Sequence, residues 1–189
     1  MPIPFFENMR LFFKGFFQNP RTMGAVLPSS RYLARTMANC IDKTATGFIV
    51  ELGPGTGAIT RGILAAGISS DKIIALEVES HFAEKLKKQF PQIQVIQGNA
   101  SELSTLMENK GPIDTIISSL PLRSLPKETR NKILNEIPKI LSPNGRFIQF
   151  TYAIKHNDHF YPKTFVQETS VIVWRNIPPA KVNVFKIMR

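Results

Sequence analysis

Apolar and polar positions along this chain follow two different periods. Short, β-branched and nearly uninterrupted apolar runs recur at Phe48–Leu52, 72–76, 93–96, Ile113–Ser118 and 146–152. Between them the apolar positions return at helical spacing, over 58–66, 80–90 (stopped by Pro91) and 127–141, where Pro138 is expected to kink the helix. A further short helix follows Ser101 as its cap, and residues 142–145 read as a turn. Apolar strands alternating with helices predict an α/β fold with a mostly parallel sheet covered on both faces. One helix precedes the first strand, over 31–41, with Pro28, Ser29 and Ser30 as turn and N-cap and Leu33, Ala34, Met37 and Ile41 as its core face. The end of the chain departs from alternation. Runs at 171–174 and 182–187 are separated only by NIPPA, too short for a crossover helix, so they predict an antiparallel hairpin.

The first run passes into the sequence ELGPGTG. Gly53, Gly55 and Gly57, with Pro54 and Thr56 between them, form a tight turn that leaves room for a ligand before the next helix begins. Strand, glycine loop and helix make a nucleotide-binding unit, and Glu77 stands at the end of the next strand, where an acid can accept ribose hydroxyls. Glu51 changes the reading. A phosphate cradle uses amides and positive charge, whereas a carboxylate just before the loop repels pyrophosphate and attracts a cation. Ligands of parallel sheets gather at the carboxyl ends of the strands, and Glu51, Glu77, Asn99 and Ser118 all fall there.

Before the fold begins, Phe5, Phe6, Phe12, Phe13, Phe16 and Phe17 share with Met9 one helical arc of roughly 140°. Arg10 and Lys14 edge that arc, which predicts an amphipathic helix over residues 1–20 lying in a membrane interface, ahead of a single domain at 21–189. The charge agrees. Residues 1–46 carry six Lys and Arg against two Asp and Glu, residues 47–145 eleven against ten, and residues 146–189 seven against two, within a net charge of +10. The basic excess therefore lies at the two ends and points to a polyanionic partner held outside the nucleotide-binding centre: an acidic membrane surface or a nucleic acid. One cysteine, Cys40, and three histidines, His81, His156 and His159, imply neither a disulfide nor a metal site, and no apolar run spans a bilayer.

The glycine loop preceded by Glu51, without GK[ST] and with a second acid at Glu77, resembles motif I of the class I S-adenosylmethionine-dependent methyltransferases. The resemblance implies that Gly53, Pro54, Gly55, Thr56 and Gly57 pack on the methionine moiety and ribose. It further implies that Glu77 binds the ribose, and that Asn99, in place of the more usual Asp, reads the adenine beside Ala100. Ser118 at the fourth strand's end joins the cofactor set, and Ser29 or Ser30 can touch the methionine carboxylate. The implied fold has seven strands, with the last inserted before the sixth.

A resemblance over the whole chain, carried by the phenylalanine helix, GAVLPSS, ELGPGTGAIT and SSLPLRSLP, is to the bacterial phospholipid N-methyltransferases. These methylate phosphatidylethanolamine toward phosphatidylcholine at the membrane surface. On that reading Phe12, Phe13, Phe16 and Phe17 dock on an anionic bilayer at the cytoplasmic face, and Ser118, Ser119, Leu120, Pro121 and Leu122 line an amine pocket. Tyr152, His156, His159 and Tyr161 become candidates for orienting or deprotonating the amine. Ser119 to Leu122 lacks the aromatic that adenine-N6 methyltransferases stack on a flipped base, which argues against a nucleic-acid substrate. Two alternatives stand beside this reading: an RNA methyltransferase resembling the rRNA adenine dimethylases through ELGPGTGAIT, and a non-catalytic membrane-binding protein that retains the fold.

Overall fold

The first strand, β1 (Phe48–Leu52), is buried from Ile49 onward, as its unbroken apolar run requires of a strand covered on both faces. It belongs to a computed structural model that describes residues 30–154 and 160–189. Around it, in chain order, lie helix α1 (Arg31–Asn39), α2 (Ala58–Ala65), strand β2 (Ile73–Glu77), α3 (Ser80–Gln89), β3 (Gln94–Gln97), a single turn α4 (Leu103–Leu106), β4 (Ile113–Ser118), α5 (Lys127–Ile140), β5 (Leu141–Thr151), β6 (Phe165–Val173) and β7 (Ala180–Ile187). The seven strands form one sheet in the order β3-β2-β1-β4-β5-β7-β6. Pairings from β3 through β5 are parallel, and β7 joins β5 and β6 antiparallel. The last strand is thus inserted before the sixth, and the order reverses between β1 and β4.

Side chains alternate across the sheet with period two. Val50, Leu52, Ile116, Phe147 and Phe185 pack on one face with Leu134 and Ile137 of α5, while Ile49, Ile117, Ile148 and Val184 pack on the other with Leu33, Met37, Ile59 and Ile63. The hairpin is fastened by aromatic contacts. Tyr161 and Phe185 have ring centroids 4.3 Å apart, and Phe147 lies 5.6 Å from Phe165 and 6.0 Å from Phe185.

Several boundaries differ from those expected. Ser30 caps α1 through its Oγ, which accepts from the Leu33 amide at 3.3 Å, yet the helix ends at Asn39 and only the buried Ile41 side chain continues its core face. Asn99, not Ser101, caps the turn after β3: its Oδ1 accepts from the Ser101 amide at 3.0 Å. The expected turn at 142–145 is a bulge within β5, because Ile113 pairs with Leu141 whereas Thr115 already pairs with Arg146. Helix α5 runs on through Pro138 to Ile140, and β6 starts at Phe165, six residues before its expected beginning. The stretch at 1–20 expected to be an interfacial helix, with Phe12, Phe13, Phe16 and Phe17, lies outside the described residues, as do Ser29, His156 and His159.

Candidate active site

The carboxyl ends of β1, β2 and β4 are stitched together by backbone bonds. Gly53 N–H donates to the Leu76 carbonyl and Ser119 N–H to the Leu52 carbonyl, each at 2.9 Å. The glycine loop leaves β1 at this point. A side chain at Gly53, whose φ is +65°, would lie 2.4 Å from Leu120 Cδ2, so glycine is what lets the SLPL stretch approach. Gly57 then serves as the N-cap of α2.

Two carboxylates hold this corner. Glu51 is fully buried; its Oε2 accepts from the Thr60 hydroxyl at 2.6 Å and its Oε1 has no partner. Burial pushes its pKa up to about 7, helped by the negative charge of Glu77 and opposed by the Thr60 hydroxyl. Glu77 is nearly as buried. Its Oε2 accepts from the Gly55 amide at 2.9 Å and its Oε1 from the Glu79 amide at 3.0 Å, and burial raises its pKa despite those bonds. The second acid therefore braces the loop as well as facing the ligand side of the strand ends. Beyond it Gly53, Leu76, Val78, Gly98, Asn99, Ala100, Leu120 and Ile133 enclose a narrow crevice of about 20 Å³. Asn99, whose Oδ1 is engaged in the cap, has its Nδ2 buried without a partner, so the open end of this amide is a donor. An orphaned buried carboxylate oxygen and a backbone-lined loop at the topological switch point suit a ligand that brings positive charge and hydrogen-bond donors, and S-adenosylmethionine fits that description. Pro54 and Gly55 are buried within the loop and Thr56 is exposed on it.

A second, larger cavity of about 210 Å³ lies over the ends of β4 and β5, reaching from Ser119 to Ser124, from Gln149 to Ala153, and to Phe160 and Tyr161. It brings together Ser119, Leu120, Pro121, Leu122 and Tyr152 as expected, whereas Ser118 is fully buried beneath it, accepting from the Leu120 amide at 3.3 Å. Ser30 lies elsewhere, at the start of α1. Gln149 was not legible as a site residue. It is 2 % exposed, and its Nε2 donates to the carbonyls of Leu120 at 3.1 Å and Phe150 at 2.8 Å. Those two bonds fix the amide, and its Oε1 is buried without a partner, as is Ser119 Oγ. The lining contains no acid, and its one charged residue is Arg123, whose guanidinium stacks 4.6 Å from the Phe160 ring centroid. Burial pushes the Tyr152 phenol up, against an opposing hydrogen bond from Asn176, so Tyr152 enters the cavity as a neutral hydroxyl.

Comparison with known proteins agrees with this geometry. The family described as "Methyltransferase domain" matches residues 49–145, which run from β1 into β5. The chain is 32% identical over 180 residues to the ornithine lipid N-methyltransferase of Singulisphaera acidiphila, covering 92% of this chain and 93% of that protein. It is 32% identical over 101 residues to the probable ribosomal RNA small subunit methyltransferase A of Haloquadratum walsbyi, covering 50% of this chain and 31% of that protein. Among solved structures, the TehB-like SAM-dependent methyltransferase of Corynebacterium glutamicum superposes with a TM-score of 0.63 at 18% identity, over 96% of this chain and 100% of that one. With the strand order, the glycine loop and a matched domain that spans both, the chain belongs to the class I S-adenosylmethionine-dependent methyltransferases, and S-adenosylmethionine is its cofactor.

Proposed function

We propose that this enzyme N-methylates the amine headgroup of a membrane lipid, phosphatidylethanolamine and its partly methylated forms above all. The observation that carries the reading is similarity along nearly the whole chain to a lipid N-methyltransferase, whereas the ribosomal RNA relative matches only half of it. The second cavity supports it chemically. At about 210 Å³ it lies below the range of roughly 300–1,000 Å³ usual for drug-sized ligands, which suits a headgroup rather than acyl chains.

Bound at the glycine loop, S-adenosylmethionine supplies a methyl group carried on a positively charged sulfur. Glu51, Glu77 and Asn99 would hold it there with the loop amides. The acceptor amine has a lysine-like pKa of about 10 and must present an unprotonated nitrogen. Two neutral acceptors, Ser119 Oγ and Gln149 Oε1, take amine N–H bonds and turn the lone pair, while the absence of a carboxylate from the lining removes what would stabilise an ammonium. Arg123 at the same cavity pairs with the anionic group that such a lipid carries. Tyr152 orients rather than deprotonates, because its phenol is pushed above its ordinary value.

The test uses labelled cofactor with vesicles containing phosphatidylethanolamine, ornithine lipid or phosphatidylcholine alone, and with ribosomal RNA in parallel. Label in the amine lipids is the expected outcome. Cofactor binding with no labelled lipid defeats the proposal, and label in RNA alone moves the assignment to the adenine methyltransferases.

A further inference from the structure

Resting on the lipid reading above, this inference concerns what brings the headgroup cavity to a membrane. The turn between β6 and β7 buries its polar residue and exposes its apolar ones: Asn176 is 2 % exposed, while Trp174 is 69 % and Ile177 is 78 % exposed. Asn176 fixes the tip. Its Nδ2 donates to the Pro178 carbonyl at 2.7 Å, its Oδ1 accepts from the Ser30 amide at 3.2 Å, and its side chain also bonds the Tyr152 phenol. One buried amide thus joins the exposed tip, the wall of the headgroup cavity, and the residue at which the phenylalanine-rich amino-terminal sequence enters the described fold.

Positive charge adjoins the same place. The guanidinium groups of Arg175 and Arg31 lie 5.3 Å and 5.0 Å from the Tyr32 ring centroid. From Arg31 a groove of about 570 Å³ runs between α1 and α2, and its charged lining residues are Arg31, Arg35, Lys43 and Arg61, all cationic. Two large apolar side chains held out on a braced turn, beside a continuous set of bases with no acid among the groove's lining, match an anionic lipid surface: tryptophan settles at the interface and the bases meet headgroups. We propose that the β6–β7 tip and the α1–α2 groove form one footprint for an anionic bilayer, which seats the headgroup cavity at the lipid surface.

Trp174 is the chain's single tryptophan, so its emission reports the tip directly. The full-length protein is mixed with phosphatidylcholine vesicles with or without one part in four of phosphatidylglycerol. A blue shift with the anionic vesicles, quenching by brominated lipid, and vesicle binding reduced roughly tenfold by Trp174→Ala with Ile177→Ser at unchanged cofactor affinity are the expected results. Replacing Arg31 and Arg35 by Gln should lower binding severalfold on anionic vesicles only. Vesicle binding with an unshifted Trp174 overturns the footprint, and so does a failure to bind vesicles at all. A blue shift that grows with protein concentration in the absence of lipid also overturns it and assigns the tip to a second copy of the chain. Methyl transfer to amine lipid dispersed in detergent separates the two claims: its absence defeats the lipid reading, whereas its presence beside an unresponsive Trp174 defeats the footprint alone.

Discussion

The corner beneath the glycine loop and the cavity over β4 and β5 are adjacent and built from opposite materials. The first holds two buried carboxylates, Glu51 and Glu77, whose pKa values are raised by burial. The second has no acid in its lining, two partnerless neutral acceptors and one guanidinium. Leu120 belongs to both, pressed against Gly53 on one side and lining the cavity on the other. The contrast follows from the reaction. A methyl donor that is a cation is attracted by carboxylate, whereas an acceptor amine has to arrive neutral, and a carboxylate beside it would hold its proton on.

Breaking the first region outright should have the largest effect. Gly55 has φ +54° and donates its amide to Glu77, so Gly55→Val strains the loop and pushes a branched side chain where the ligand approaches. Cofactor affinity measured by calorimetry should fall about a hundredfold, a loss of roughly 2.7 kcal/mol. Normal affinity in this variant would remove the loop from the cofactor site.

Neutralising the buried acid comes next. Because the Glu51 pKa is raised from 4.5 to about 7, the folded state binds more protons than the unfolded one across that interval. The group's contribution is fully present below pH 4.5 and is lost as pH rises through 7, so it makes the cofactor-free protein less stable toward neutral pH. Glu51→Gln should flatten the denaturant stability profile over that window and leave the variant more stable than the parent at pH 8, by on the order of 1–3 kcal/mol. The same variant should bind cofactor more weakly. Identical pH profiles for the two proteins would show that Glu51 ionises normally.

The smallest effect sharpens the contrast from the other side. Gln149→Leu removes one amine acceptor and should lower kcat about tenfold with cofactor affinity unchanged. Gln149→Glu places an acid in the acid-free cavity and should move the acidic limb of the pH–rate profile to higher pH, because the new charge stabilises the substrate ammonium. A limb shifted to lower pH, or not at all, would mean that the cavity does not hold the amine.

How far each region can be read without the structure follows from the range of its contacts. The glycine loop, its two acids and the strand–helix alternation are consecutive in the chain, and β1 and β4 have the bounds that their apolar runs predict. The terminal hairpin follows from the short NIPPA link, although β6 proves longer than its apolar core because its solvent-facing residues dilute the pattern. The Asn99 cap was misassigned to Ser101 because either residue type suits that position and only the bond direction separates them.

The sequence by itself determined the fold class, the cofactor loop and the two acids, because local period and a contiguous motif encode them. Tertiary structure alone decided which residues share a site. Gln149 meets Leu120 across 29 positions and Asn176 meets Ser30 across 146, and each is an unremarkable amide until the sheet order places β5 beside β4 and the hairpin beside α1. The protonation of Glu51 belongs to the same class, since burial beneath a loop raises its pKa and no neighbouring residue in the chain signals it.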